Sequence, residues 1–174
     1  DLDLITAGGT NDACVLEFDF IPFDDELTFN YVFGSEEYLE YVGSFNDGFA
    51  LFISGPGIVG QQNIALIPGT PTPVTINNVN DVANSAYYVN NGSGSPVDPE
   101  STVQYDGFTV VLTASATVIP CQTYHLKIAV ADALDTALDS GVFIEEGSLS
   151  TNFITVEASA VSLTVAGLET AVEG

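Results

Sequence analysis

Apolar residues recur at every second position in one short run after another of this chain, and that period of two constrains its fold more than any other feature. Phe29, Tyr31 and Phe33 alternate with Asn30, Val32 and Gly34, and Phe49, Leu51 and Ile53 alternate with Gly48, Ala50 and Phe52. Such alternation puts one set of side chains on each face of a strand. Tyr124, Leu126, Ile128 and Val130 repeat the pattern, as do Cys14, Leu16, Phe18 and Phe20. Pro22, Pro56, Pro68, Pro71, Pro73 and Pro120, with glycines and Asn-Asp clusters, punctuate the runs and oppose helix. No window of ten or more residues carries a capped helical period. The expected fold is all-β: a two-sheet β-sandwich, jelly-roll-like or Greek key, of roughly ten to twelve short strands, since no repeat points to a propeller. Leu2 to Thr6, Asn63 to Ile67 and Val74 to Asn77 read as further short strands, Asp106-Gly107 as a hairpin turn before a strand at Phe108 to Ala116, Asn152 to Val165 as a last strand, and Leu39 to Val42 and Ala133 to Leu138 as at most single turns.

The loop joining the strands around Tyr31 and Leu51 is rich in oxygen donors: Glu36, Glu37, Glu40, Asn46 and Asp47. A second acidic cluster, Asp132, Asp135 and Asp139, directly follows the apolar run that ends near Ala131. It lacks the alternating aspartates and fixed glycine of an EF-hand. Its spacing resembles a calcium loop of a β-sandwich, with short-range ligands from Asp132 and Asp135 and a remote carboxylate from the 36–47 loop if both strand ends reach one rim. A hard cation such as Ca2+ takes about 6 to 8 oxygens, and Glu36, Glu37, Asn46, Asp47, Asp132, Asp135 and Asp139 are the candidate ligands. The plain alternative is two separate solvated acidic turns.

Charge sharpens that choice and excludes partners. The chain of 174 residues has 24 acids against one base, Lys127, for a formal net charge of -23. Nucleic acid is not an expected partner, because binding it needs bases that neutralise phosphates. An anionic membrane surface is disfavoured for the same reason. No run of about 18 apolar residues spans a bilayer, so direct membrane insertion is not expected. The chain opens without a signal-peptide pattern and reads as a mature segment or a module of something longer. Self-repulsion on this scale favours bound cations in the native state.

Catalysis has few parts to draw on. The one histidine, His125, lies in a strand beside Lys127, and Glu36 and Glu37 are adjacent and diverge on extended chain, unlike a glycosidase pair. The protein is therefore not expected to be an enzyme. Cys14 and Cys121 are expected to form a disulfide that closes a long loop, two free thiols being the alternative. The irregular stretch from Asn78 to Ser101 carries Tyr87 and Tyr88, whose rings could stack on a sugar or pin the loop. Lys127 reads as an ordinary strand lysine; a crosslink from it to an asparagine is the remote alternative.

Three ordered segments, FGSEEYLEYVGSFNDGFALFISGPG, YDGFTVVLTA and CQTYHLKIAVADALDTALDSGVF, resemble the choice-of-anchor L domain of bacterial surface proteins. The resemblance covers about residues 1–150. It implies an exported module of a large adhesin-like protein at the cell surface, with neighbouring modules of the same chain as partners and no defined chemistry. Thr151 to Gly174 then reads as a final strand or a lead into the next module. The expected function is a calcium-binding extracellular module that binds a carbohydrate or another surface polymer. A calcium-rigidified stalk spacer with no ligand is the alternative.

Overall fold

The structure is a computed structural model that describes residues 2–6, 8–92 and 103–151. Ten strands follow one helical turn: α1 (Asp3–Thr6), β1 (Thr10–Phe20), β2 (Glu26–Ser35), β3 (Gly48–Ser54), β4 (Gln62–Asn63), β5 (Tyr88–Asn90), β6 (Gly107–Thr109), β7 (Leu112–Thr117), β8 (Tyr124–Ala133), β9 (Ser140–Ile144) and β10 (Ser150–Thr151). Two antiparallel sheets form a sandwich-like body. One has the order β1-β8-β3-β4; the other has the order β10-β2-β6-β5, with β7 and β9 also paired to β2. Four strands have only two or three residues, so six are full-length, fewer than the sequence led us to expect.

β2 and β3 show why the alternation produced these layers. Leu27, Phe29, Tyr31 and Phe33 point from β2 into the core, while the residues between them are less buried. β3 is buried on both faces. Phe49, Leu51 and Ile53 enter the main core, and Ala50 and Phe52 meet Leu2, Ala129 and Ala131 on the outer side. A strand covered on both sides reads as a continuous apolar run, and FALFI is one. Leu2 covers that outer face because the expected N-terminal strand is instead the single turn α1, closed by Thr6 N–H donating to the Leu2 carbonyl at 2.9 Å. β8 has its large residues Tyr124, Leu126 and Ile128 in the core and small alanines, Ala129 and Ala131, under the α1 cover.

Two further expectations change. The strands anticipated at 63–67 and 74–77 are mostly irregular chain, tied by bridges of Leu66 to Pro73 and Gly48 to Thr75. The 106–107 turn does not close a hairpin; β6 pairs instead with β2 and β5. The strand expected at 152–165 lies outside the described residues, as does part of the 78–101 loop.

The disulfide is a correction. Cys14 and Cys121 are both exposed free thiols. Cys14 lies opposite Val130 midway along β1, while the Cys121 amide is hydrogen-bonded to the Pro22 carbonyl, beyond the strand's far end. Eight residues of extended chain, about 25 Å, separate positions 14 and 22. A disulfide needs Cα atoms within about 7 Å.

Candidate functional site

The register of both sheets carries the two acidic loops to one rim. β2 ends at Ser35, opposite Ser140 at the start of β9. β3 begins at Gly48, opposite Ala131 near the end of β8. The loop after β2 and the loop after β8 are therefore neighbours, and four hydrogen bonds join them. Glu36 N–H donates to the Asp139 carbonyl at 3.1 Å, and Asp139 N–H donates to Glu36 Oε2 at 3.2 Å. Ala133 N–H donates to Asp47 Oδ1 at 2.9 Å, and the Ser140 hydroxyl donates to Asp47 Oδ2 at 2.6 Å. The Ser35 hydroxyl lies 3.4 Å from the same Oδ2 and accepts from Glu37 N–H at 3.0 Å.

Three carboxylates are buried here: Glu37 is 1% exposed, Asp47 0% and Asp132 4%. Desolvation penalises the charged form, and neighbouring anions add to it. Burial, then the Asp47 charge and a hydrogen bond with Asp47, push the Glu37 carboxyl well above the ordinary glutamate value, with Asp135 and Asp132 adding smaller repulsions. Burial likewise raises Asp47, opposed by the hydrogen bonds from Ser140, Ala133 and Glu37. Asp132 rises to about 6, first from burial and then from the Asp47 and Asp139 charges. Burial and the neighbouring charge thus favour the protonated form of Glu37, while the donors that reach Asp47 favour its charged form. The Glu37 Oε2 atom is buried with no hydrogen-bond partner. An unmatched buried acceptor costs about 1–3 kcal/mol, so this atom is a point where a ligand would add stability.

The other candidates divide. Asp135 and Asp139 lie close enough to act on the buried three through charge. Asp135 also caps its own turn, its Oδ1 accepting from Ala137 N–H at 3.3 Å. Glu36 is half-buried and spends its carboxylate on Asp139. The Asn46 amide holds α1 and the 75–78 turn together: Nδ2 donates to the Thr6 carbonyl at 2.9 Å, and Oδ1 accepts from Asn77 N–H at 3.2 Å. Among the described residues, no three His, Cys, Asp or Glu side chains stand in a preformed metal-holding arrangement. Ser35 and Ser140 were missed by the sequence reading. Their signal was a small hydroxyl residue next to an acid at a strand end, in GSEE and LDSG.

Tyr87 closes a 3-10 turn and Tyr88 opens β5. Both are partly buried against the core, and the Tyr88 ring lies 4.9 Å from that of Tyr38. They pin the loop to the sandwich. Lys127 sits opposite Glu17 in the β1–β8 register, 3.4 Å from its carboxylate, as an ordinary strand lysine would. His125 pairs with the exposed Asp19 at 2.8 Å.

No curated protein and no solved structure matches the chain. The family model of the choice-of-anchor L domain matches residues 1–150, which include both acidic loops and every described strand but the last residue of β10, and the chain belongs to that family.

Proposed function

We infer that this module of a bacterial surface protein binds calcium at the rim formed by Glu37, Asp47 and Asp132, and that the ion clamps the loop after β2 to the loop after β8. The observation that carries the reading is the Glu37–Asp47 pair, buried side by side with Glu37 Oε2 left without a donor. The one lysine lies 3.4 Å from Glu17. A divalent cation would displace the Glu37 proton, occupy the empty side of Glu37 and neutralise Asp132. All donors offered are oxygen, which suits calcium, and its tolerance of irregular geometry suits a site drawn from two loops. Asp135 and Asp139 are the residues a closing loop would add.

Metal that binds only the folded state stabilises it by mass action, by about 2.7 kcal/mol at one hundred times the dissociation constant. A thermal melt in calcium against chelator is the test. The melting temperature is expected to fall in chelator for the natural chain and to stay unchanged for Asp132→Asn. An identical melt of the natural chain in both conditions removes calcium from the account.

Binding of a carbohydrate or other surface polymer is the finer reading, and the calcium-rigidified spacer competes with it. The packing of Tyr87 and Tyr88 favours the spacer, because rings partly buried against the core present less of their faces to a sugar. A glycan array with and without chelator separates the two: a calcium-dependent signal supports recognition, and silence in both conditions with a chelator-sensitive melt supports the spacer.

A further inference from the structure

The N-terminal segment forms a third side of the acidic rim. The Thr6 carbonyl accepts from Asn46 Nδ2 at 2.9 Å, and the Gly9 carbonyl accepts from Leu134 N–H at 2.9 Å, so the chain entering β1 is tied to both acidic loops. In the β1–β8 register Asn11 stands opposite Asp132. Residues directly opposite in an antiparallel pair project to one face with Cβ atoms about 4.5–5.5 Å apart, which sets the Asn11 amide beside the buried Asp132 carboxyl. The register then slips between Asn11 and Cys14, and Asp12, with φ of 45°, lies in the irregularity. Such a bulge re-aims a side chain at a strand end. Burial raises the Asp132 carboxyl most and the Asp12 charge adds a small repulsion, so Asp12 stays within charge range of the site.

We propose that Asn11 and Asp12 complete the calcium site, Asn11 with a neutral amide oxygen and Asp12 with a carboxylate, so that the ion fastens the opening of β1 to the two loops. The proposal rests on the calcium reading above. An independent sign of a missing ligand is Glu37 Oε2, which has no hydrogen-bond partner in a side chain that is 1% exposed and feels the charges of Asp47 and Asp132. The two loops alone are short of oxygen: Asp47 already accepts from Ala133 N–H through one oxygen and from the Ser140 hydroxyl through the other, while calcium takes about 6 to 8 oxygens. Asn11 adds an oxygen without adding charge to carboxylates that already repel one another. The effect of the ion would reach further along the chain, because the Thr10 N–H and hydroxyl donate to Asp3 Oδ1 at 2.9 and 2.8 Å. Fixing the start of β1 thereby also fixes α1, whose neighbour Leu2 covers the outer face of β3.

Calorimetric titration of the 174-residue chain with calcium tests this, comparing the natural sequence with Asn11→Ala, Asn11→Asp and Asp12→Asn. Affinity is expected to fall at least about ten-fold in Asn11→Ala and in Asp12→Asn, and to be kept in Asn11→Asp, which retains an oxygen at that position. Calcium should also slow hydrogen exchange of the amides of 10–13 in the natural chain and leave them unchanged in Asn11→Ala. Equal affinity in the natural chain and Asn11→Ala overturns the proposal and leaves calcium at the two loops. A loss in Asp12→Asn alone overturns it as well, since that reports only the removal of a nearby charge. A natural chain that takes up no calcium overturns the calcium reading and this proposal together.

Discussion

Strands β3 and β8 run side by side through the sandwich, and their two ends treat a buried polar group in opposite ways. At the end where β3 finishes and β8 begins, the buried group is the Tyr124 hydroxyl. It donates to the Pro56 carbonyl at 2.6 Å and accepts from Ile119 N–H at 2.7 Å. Gly55 makes the approach possible: a Cβ there would lie 2.5 Å from the Tyr124 ring, and its backbone is in the positive-φ region glycine tolerates. At the other end, where β8 finishes and β3 begins, three carboxylates are buried and one oxygen has no donor. A neutral, satisfied group locks an end, whereas a charged, under-satisfied one keeps it responsive to protons and cations.

The largest effect is expected at the locked end. Tyr124→Ala removes a core ring and both of its hydrogen bonds, and aromatic truncations of this kind cost about 3–5 kcal/mol. The loss, read from urea unfolding midpoints, is expected to be the same with calcium or chelator. A dependence on metal would show that the two ends are not independent.

Asp47→Ala comes next. It strands the Ser140 hydroxyl and Ala133 N–H at a buried site and leaves Glu37 without its partner, at a cost of about 1–3 kcal/mol. Unlike the tyrosine change, it is expected also to erase the difference between the melts in calcium and chelator.

Glu37→Gln separates shape from charge. For the acids at this rim the folded pKa lies above the unfolded one, so the native state holds more protons and stability falls as pH rises. For Asp132 the window runs from about 3.8 to about 6, and for Glu37 it begins near 4.5 and extends upward. In chelator, urea unfolding of the natural chain is expected to weaken from pH 4 towards neutrality. Glu37→Gln should flatten that slope and match or exceed the natural chain at pH 8. A slope unchanged by the substitution would assign it to the chain's overall negative charge instead.

How much of this was legible in the sequence follows from the range of the forces involved. Period-two patterning marked β1, β2, β3 and β8, because side-chain direction in a strand is a local property. The double burial of Phe49 to Ile53 goes beyond the alternation read from the sequence, although FALFI is an unbroken apolar run. The turn α1 was not legible, since what decides it is the outer face of β3 that Leu2 covers. The acidic loops were legible as loops, but their meeting was only a condition, because it depends on the registers of β2 with β9 and β3 with β8, which alternation does not fix. The disulfide failed because two cysteines in strand-like contexts say nothing about register. For Tyr87 and Tyr88 the sequence left stacking on a sugar and pinning the loop open, because a packing partner such as Tyr38, fifty residues from Tyr88, is invisible to local reading.

The adjacent glutamates mark the finest limit, and they carry the smallest prediction. Nothing in GSEEY tells Glu36 from Glu37, yet one reaches Asp139 at the half-exposed rim and the other is fully buried beside Asp47. Alternation past the end of β2 sends successive side chains to opposite sides, and Ser35, facing Asp47, fixes which one goes inward. Glu36→Gln keeps the backbone bond from residue 36 to the Asp139 carbonyl and exchanges a charged acceptor for a neutral one in a partly solvated setting. The expected loss is about 0.5 kcal/mol or less, screened further by salt. In chelator its urea unfolding midpoint at neutral pH should stay close to that of the natural chain, because the fully buried carboxyl beside Asp47 is its neighbour. If Glu36→Gln instead costs as much as Asp47→Ala, the division of labour between these two residues is wrong, and the contrast between a locked end and a responsive one must be redrawn around the whole 36–47 loop.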